Sequence, residues 1–192
     1  MNELSVSLST ISCDLFHLKD ILQSIFHSVV FCRSISRDFE PLVDTIFRDN
    51  PQRAISYLRV PEASLQLRID DDVETQITEV GQKFKENPGQ PLGVTFSIVF
   101  GIVKTRIFRS SLVHPFETWA VNIMIDDLRY EGEEALDRLS NESRALLMEI
   151  SKRLPLKNFP MRKNDESLCP YSIRIYHTHQ TRTAEKDVLF RM

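Results

Sequence analysis

PLGVTFSIVFGIVKTRIFRSSLVHPFETWAVNIMID, residues 91–126, decides how this chain is read. Its first arm places Val94, Phe96, Ile98, Phe100 and Ile102 on one face of a strand, and its second places Trp119, Val121, Ile123 and Ile125 likewise. This alternation predicts a hairpin of two long strands, each with one buried face. Between the arms, KTRIFRSSLVHP (104–115) reads as a loop in which Ile107 and Phe108 sit between Arg106 and Arg109 and before Ser110 and Ser111. Each large apolar side chain is worth roughly 1.5–3 kcal/mol when it moves from water into a pocket, so the pair would anchor a partner or fold back and bury itself locally. Neither arm carries a nucleophile, an acid/base pair or a phosphate loop.

Working outward, residues 4–11 alternate weakly and predict a strand, after which Asp14 is placed to cap a helix over 14–33. Leu15, Leu18, Leu22, Ile25, Phe26 and Val29 form one stripe of that helix, and Phe16, Ile21, Val30 and Phe31 widen it well beyond a single face, so it belongs in the middle of the fold. PLVDTIF (41–47) and AISYLRV (54–60) read as short strands around a turn at Arg48, Asp49, Asn50 and Pro51, and SLQLRI (64–69) as another. Asp70, Asp71 and Asp72 suit the start of a second helix with a narrow stripe of Val73, Ile77, Val80 and Phe84, ending near Asn87, Pro88 and Gly89. A third helix is expected over 131–154, with Leu136, Leu139, Ser143, Leu146, Leu147, Ile150 and Leu154 inward and Pro155 as its stop. YSIRIYHTH (171–179) alternates as a strand, and DVLF (187–190) is a short terminal apolar run. Together these predict an α+β fold, an antiparallel sheet covered on one face by helices.

With 192 residues, 42% of them hydrophobic, the chain can bury the core of one domain. Its 24 basic and 27 acidic residues, net charge -3, give no electrostatic reason to expect nucleic acid or an acidic membrane as partner. No apolar run approaches the roughly 20 residues of a membrane span, and no signal peptide is evident, so a cytosolic or nuclear protein is expected. Cys13, Cys32 and Cys169 are far apart without a CxxC pair, which points to reduced thiols.

Candidate chemistry is sparse. His177 and His179 lie two apart on one strand face, a spacing two metal ligands could use, but a site needs three or four and neither Cys nor acid accompanies them. The Asp70 to Asp72 run lacks the alternate spacing and glycine of a calcium loop. Cys32 combined with His17 or His27 would suggest a thiol nucleophile, but it sits at the end of an apolar helix, where cysteine serves as a small hydrophobe. No phosphate-binding or nucleophile-elbow motif is present, so no enzyme activity, metal or cofactor is expected.

IFHSVVFCRS (25–34), YLRV (57–60), LGVTFSIVF (92–100) and above all HPFETWAVNIMI (114–125), followed by FPM (159–161) and PYSIRI (170–175), resemble, in the same order, blocks of the autophagy-related protein 101 family. The resemblance implies a single HORMA domain over 1–192, with a core (1–155) of three helices on an antiparallel sheet and a C-terminal safety belt (156–192) that can occupy alternative positions. It implies a non-catalytic adaptor in the autophagy-initiating kinase complex, a heterodimer with the HORMA domain of autophagy-related protein 13 that meets the complex's other subunits. Such a protein would be cytoplasmic and recruited to the phagophore assembly site. Animal members carry a Trp and a Phe in the hairpin loop. Aligned on HPFETW, this chain has Ile107 at the Trp position and Arg109 at the Phe position, with Phe108 the only aromatic, so Ile107, Phe108 and Arg109 become the recruitment-loop candidates. By the same analogy the third helix and the neighbouring sheet edge form the dimer surface, with Asp137, Arg138, Glu142 and Arg144 as candidates. The alternative within the fold is a checkpoint or meiotic HORMA module, which traps a peptide as an added strand beneath its belt.

Overall fold

The computed structural model describes residues 4–34, 42–106, 109–126, 132–153 and 172–179. The hairpin arms form β5 (Leu92–Arg106) and β6 (Arg109–Ile125), paired antiparallel from Leu92↔Ile125 to Phe100↔Glu117. Alternation sends Val94, Phe96, Ile98 and Phe100 to the same face as Trp119, Val121, Ile123 and Ile125, and all eight are at most 1% exposed. At Phe100/Gly101 the register shifts, and pairing then resumes from Gly101↔Pro115 through Lys104↔Leu112 to Arg106↔Arg109. The expected loop over 104–115 is therefore mostly strand, and the connection shrinks to residues 107 and 108. The adjacent apolar pairs Ile102–Val103 and Leu112–Val113, set among charged and hydroxyl residues, leave no strict alternation to read, whereas the ladder is a backbone property. Pro115 is tolerated because it sits at the bulge, where a missing N–H costs least.

The sheet is mixed, which corrects the antiparallel expectation. β1 (Leu4–Ser7) and β2 (Ile11–Cys13) both run parallel to β6, with Val6 opposite Trp119 and Ile11 opposite Ile123. The single strand expected over 4–11 is broken between them, where the Ser9 N–H turns to the Glu149 carboxylate at 3.0 Å. On the other side, β7 (Ser172–His179) pairs antiparallel with β5, from Gly101↔Ser172 to Val94↔His179. A separate two-stranded ribbon joins β3 (Leu42–Ile46) to β4 (Ile55–Arg59), as the turn composition predicts.

Helix α1 (Leu18–Ser34) is the buried centre. Leu18, Ile21, Leu22, Ile25, Phe26, Val29 and Val30 are all at most 1% exposed. Asp14 stabilises the turn that enters it, accepting the His17 N–H at 2.7 Å and lying 2.8 Å from His17 Nδ1. Phe16 departs from the predicted stripe: it precedes the helix and is 85% exposed.

Helix α2 (Ala63–Glu86) absorbs SLQLRI, which is not a strand. Leu65, Leu67 and Ile69 fit a period of two, but Leu65, Ile69, Val73, Val80 and Phe84 fit the helical period and are the ones buried, whereas Leu67 is 64% exposed. The Asp70 to Asp72 triplet thus lies inside α2 and not at its start. Helix α3 (Glu133–Arg153) matches its predicted span, burying Leu139, Ser143, Leu146 and Ile150, with Ala135 and Ser140 added and Leu136 and Leu147 only partly covered.

One buried ion pair fastens α1 to the hairpin. Arg33 Nε donates to Glu117 Oε1 at 2.6 Å, the Trp119 indole N–H donates to the same oxygen, and the guanidinium carbon stands 5.3 Å from the Trp119 ring centre. The side chains of Arg33 and Glu117 are 3% and 4% exposed. Removing one member takes from the other its charged partner in the core, whereas replacing both with apolar groups removes the desolvation cost along with the attraction. Glu117→Ala should lower the urea-unfolding free energy by about 3–5 kcal/mol, and the double change Arg33→Met with Glu117→Leu should lose much less.

Candidate partner-binding surface

Three elements surround a groove of ≈ 230 Å³: the C-terminal half of α1 (Ser28, Cys32), strand β4 (Tyr57, Leu58) and the outer side of α3 (Arg144, Leu147, Met148, Ser151). Its floor is apolar and its α3 rim is open, with Arg144 exposed and Met148 52% exposed. An unbranched, polarisable Met beside an Arg gives such a rim adaptable apolar contact together with a fixed charge.

The ribbon that forms the far wall is held by a polar network centred on two carboxylates. Arg59 on β4 donates to Asp44 Oδ2 at 3.0 Å and to Asp70 Oδ2 at 2.6 Å. Asp70 Oδ1 accepts from Gln23 at 2.9 Å and lies 3.0 Å from Nε2 of the fully buried His27. Asp44 also takes Arg48 and, at 3.4 Å, the Tyr57 hydroxyl. Burial would raise the Asp44 carboxyl, but the Thr45 N–H, Arg48 and Arg59 outweigh it and hold it below its ordinary value. Burial lowers His27, with Asp70 opposing, and raises the Tyr57 hydroxyl, with Asp44 adding to the effect. Sequence reasoning missed this network. By composition Asp70 reads as part of a helix start, while its partners lie 11 to 47 residues away.

The sequence-derived dimer candidates separate in space. Asp137 on α3 pairs with Arg53 Nε at 2.5 Å, and Ser140 Oγ donates to the Arg53 carbonyl at 2.9 Å, so this end of α3 grips the β3–β4 turn. Glu142 is half-buried and points the other way, 3.5 Å from the Ser12 N–H, beside Glu149, which takes the Ser9 N–H. The Glu149 carboxyl is lowered because Ser9 and Arg153 together outweigh burial. Arg138 is exposed. Arg144 alone of the four lines the groove, and Met148, one turn on, is the contributor that charge-based reasoning passed over.

The recruitment-loop candidates sit at the far end of β5 and β6. Ile107 and Phe108 lie outside the described residues, and Arg109 opens β6 with its backbone opposite Arg106. β7 accompanies β5 only as far as Gly101, and β1 accompanies β6 only from Glu117, so beyond those points the two strands continue as a ribbon without further strand neighbours among the described residues. Five residues of such a ribbon, 102–106, span roughly 17 Å.

The candidate chemistry resolves differently. Burial pushes the Cys32 thiol up to about 11, with Arg33 opposing only in part, so its thiolate is disfavoured. His177 and His179 face α2, and among the described residues no three His, Cys, Asp or Glu side chains converge as a metal site would require. Nor, among those residues, is any helix long and apolar enough to cross a membrane.

A mixed sheet with three helices, an open helix-lined groove and an arm of paired strands define an α+β domain with a candidate docking surface. Residues 10–155 match the autophagy-related protein 101 family, and the chain belongs to that family. The match ends within two residues of α3, so β7 and the rest of 156–192 fall beyond it. No curated protein matches the chain.

Exposure and hydrogen bonding predict two classes of variant. Asp70→Ala should lower the unfolding free energy by about 1–3 kcal/mol, because Gln23 and the buried His27 lose their shared acceptor and Arg59 loses one of its two carboxylates. Met148→Asp and Arg144→Glu should each stay within about 0.5 kcal/mol of the parent in the same urea titration.

Proposed function

We propose that the chain is a non-catalytic adaptor of the autophagy-initiating kinase complex, a single HORMA domain that pairs with the HORMA domain of autophagy-related protein 13 and stabilises it. In this reading residues 1–155 are the core and 156–192 the safety belt, and the protein acts in the cytoplasm and at the phagophore assembly site. Membership of the autophagy-related protein 101 family over 10–155 carries the proposal. The groove between α1, β4 and α3 supports it: an apolar floor with an exposed Met and Arg at its rim has the make-up of a centre of binding energy, which charge-rich helix faces lack.

Of the sequence-derived candidates, Arg144 is the contact residue and Met148 joins it. Asp137 positions the β3–β4 wall, Glu142 holds α3 to the sheet, and Arg138 is exposed outside the groove lining. In this reading Ile107, Phe108 and Arg109, at the connection between β5 and β6, are the residues that meet downstream factors. Dimerisation and recruitment then depend on different residues.

Co-expression with the HORMA domain of autophagy-related protein 13 followed by size-exclusion chromatography tests the pairing. A stable one-to-one complex is expected with the parent chain, and the double change Arg144→Glu with Met148→Asp should weaken it at least about tenfold. Absence of any complex with the parent chain would overturn the reading. Changing Ile107 and Phe108 to Asp should leave the complex intact and reduce capture of downstream autophagy factors. Saturable capture of a short linear peptide, with no folded partner bound, would instead favour the peptide-trapping HORMA alternative.

A further inference from the structure

Strand β7 carries an unusual inner face. Ile175, His177 and His179 stand opposite Ile98, Phe96 and Val94 of β5, all three of which are fully buried, so two imidazoles occupy positions on the core side of an edge strand. Helix α2 covers them. His177 Nδ1 lies 2.7 Å from Gln76 Oε1, and since that oxygen only accepts, Nδ1 carries the proton. His179 Nε2 lies 2.5 Å from Lys83 Nζ, and since an ammonium only donates, Nε2 must be unprotonated. Both contacts are met by neutral rings, which pack edge to face with centres 5.0 Å apart.

A proton on His179 Nε2 removes the acceptor that Lys83 uses and sets two cations against each other. His179 Nδ1 is buried without a hydrogen-bond partner among the described residues, so the charged ring gains nothing there. A proton on His177 adds a third cation beside the other two. Among the described residues, the groups that act on the pair are few. From α2 come Lys83 and Glu79, with uncharged Gln76, and from β5 come apolar Val94 and Phe96. Glu79 is a weak counterweight, 3.9 Å from His177 Nδ1 with its side chain 57% exposed.

We propose that His177 and His179 make β7 a pH-responsive latch, docked between α2 and the edge of β5 while both imidazoles are neutral and released when they take up protons. Burial lowers both rings below the ordinary histidine value of 6.5, with mutual repulsion adding at His177 and Lys83 adding at both, so the released strand binds more protons than the docked one. The docking free energy that depends on neutral rings is therefore complete above about pH 6.5 and is lost as pH falls below it. His27, also lowered by burial, lies on α1, away from β7, so acid effects on the whole fold must be separated from release of this one strand.

Backbone amide protection factors across the full chain, measured by NMR exchange at about pH 7.5 and about pH 5.5, make that separation. β7 and the β5 amides that bond to it should lose protection about tenfold or more at the lower pH, while amides between β6 and β1 keep theirs. Changing both His177 and His179 to Gln should abolish the difference. Lys83→Gln, an exposed change that leaves a donor for His179, should shift the loss to lower pH, and serves if the double variant does not dock β7 at all. The latch is overturned if β7 protection is the same at both pH values, if β7 and β6 lose protection together, or if Lys83→Gln releases β7 at the same pH as the parent.

Discussion

Strand β6 is hydrogen-bonded on both edges, to β5 along one and to β1 and β2 along the other, and every other layer is placed by reference to it. Its inward residues Trp119, Val121, Ile123 and Ile125 meet α1, the most completely buried helix. Glu117 on the same strand draws Arg33 into the core and so sets the end of α1 against the sheet. A central strand tied on both edges and from above tolerates no register slip, since a shift of one residue would turn four large apolar side chains to the opposite face. That rigidity lets β5 and β6 run on beyond their neighbours as an arm.

Where hydrophobic period and structure coincide, the sequence was legible: the hairpin arms, α1, α3 and the β7 strand all appear close to where alternation or the helical stripe places them. Three failures have distinct causes. SLQLRI satisfies both a two-residue and a helical period over six residues, and only the longer run through Phe84 settles it. The parallel direction of β1 and β2 on β6 depends on partners about 110 residues away in sequence, which local patterning does not encode. Beyond Gly101 the apolar residues fall in adjacent pairs, Ile102–Val103 and Leu112–Val113, so the strands there carry no two-residue period.

The candidate surface was legible only in outline. The helical stripe marks α3 and its charges point outward, yet Asp137 and Glu142 are engaged within the fold, and the open groove is marked by Met148, which falls outside the expected inward stripe and carries no charge. Charge on a helix face is spent as often on neighbouring elements of the same chain as on a partner. Likewise Asp70 looks like a helix-start residue in sequence and is in the structure the shared acceptor that seats the β3–β4 wall. The proposed adaptor role uses this arrangement directly: one wall of the groove is a ribbon clamped by Arg59, the other a helix clamped by Glu142 and Glu149, leaving the space between them preformed.

A hydrogen-exchange footprint of the chain with and without the HORMA domain of autophagy-related protein 13 tests the central claim, that the groove between α1, β4 and α3 is the partner surface. The account predicts new protection along the outer side of α3 around Arg144 to Ser151 and in β4, with the β5–β6 arm unchanged. Protection confined to the arm, or to β7 and α2, would contradict it.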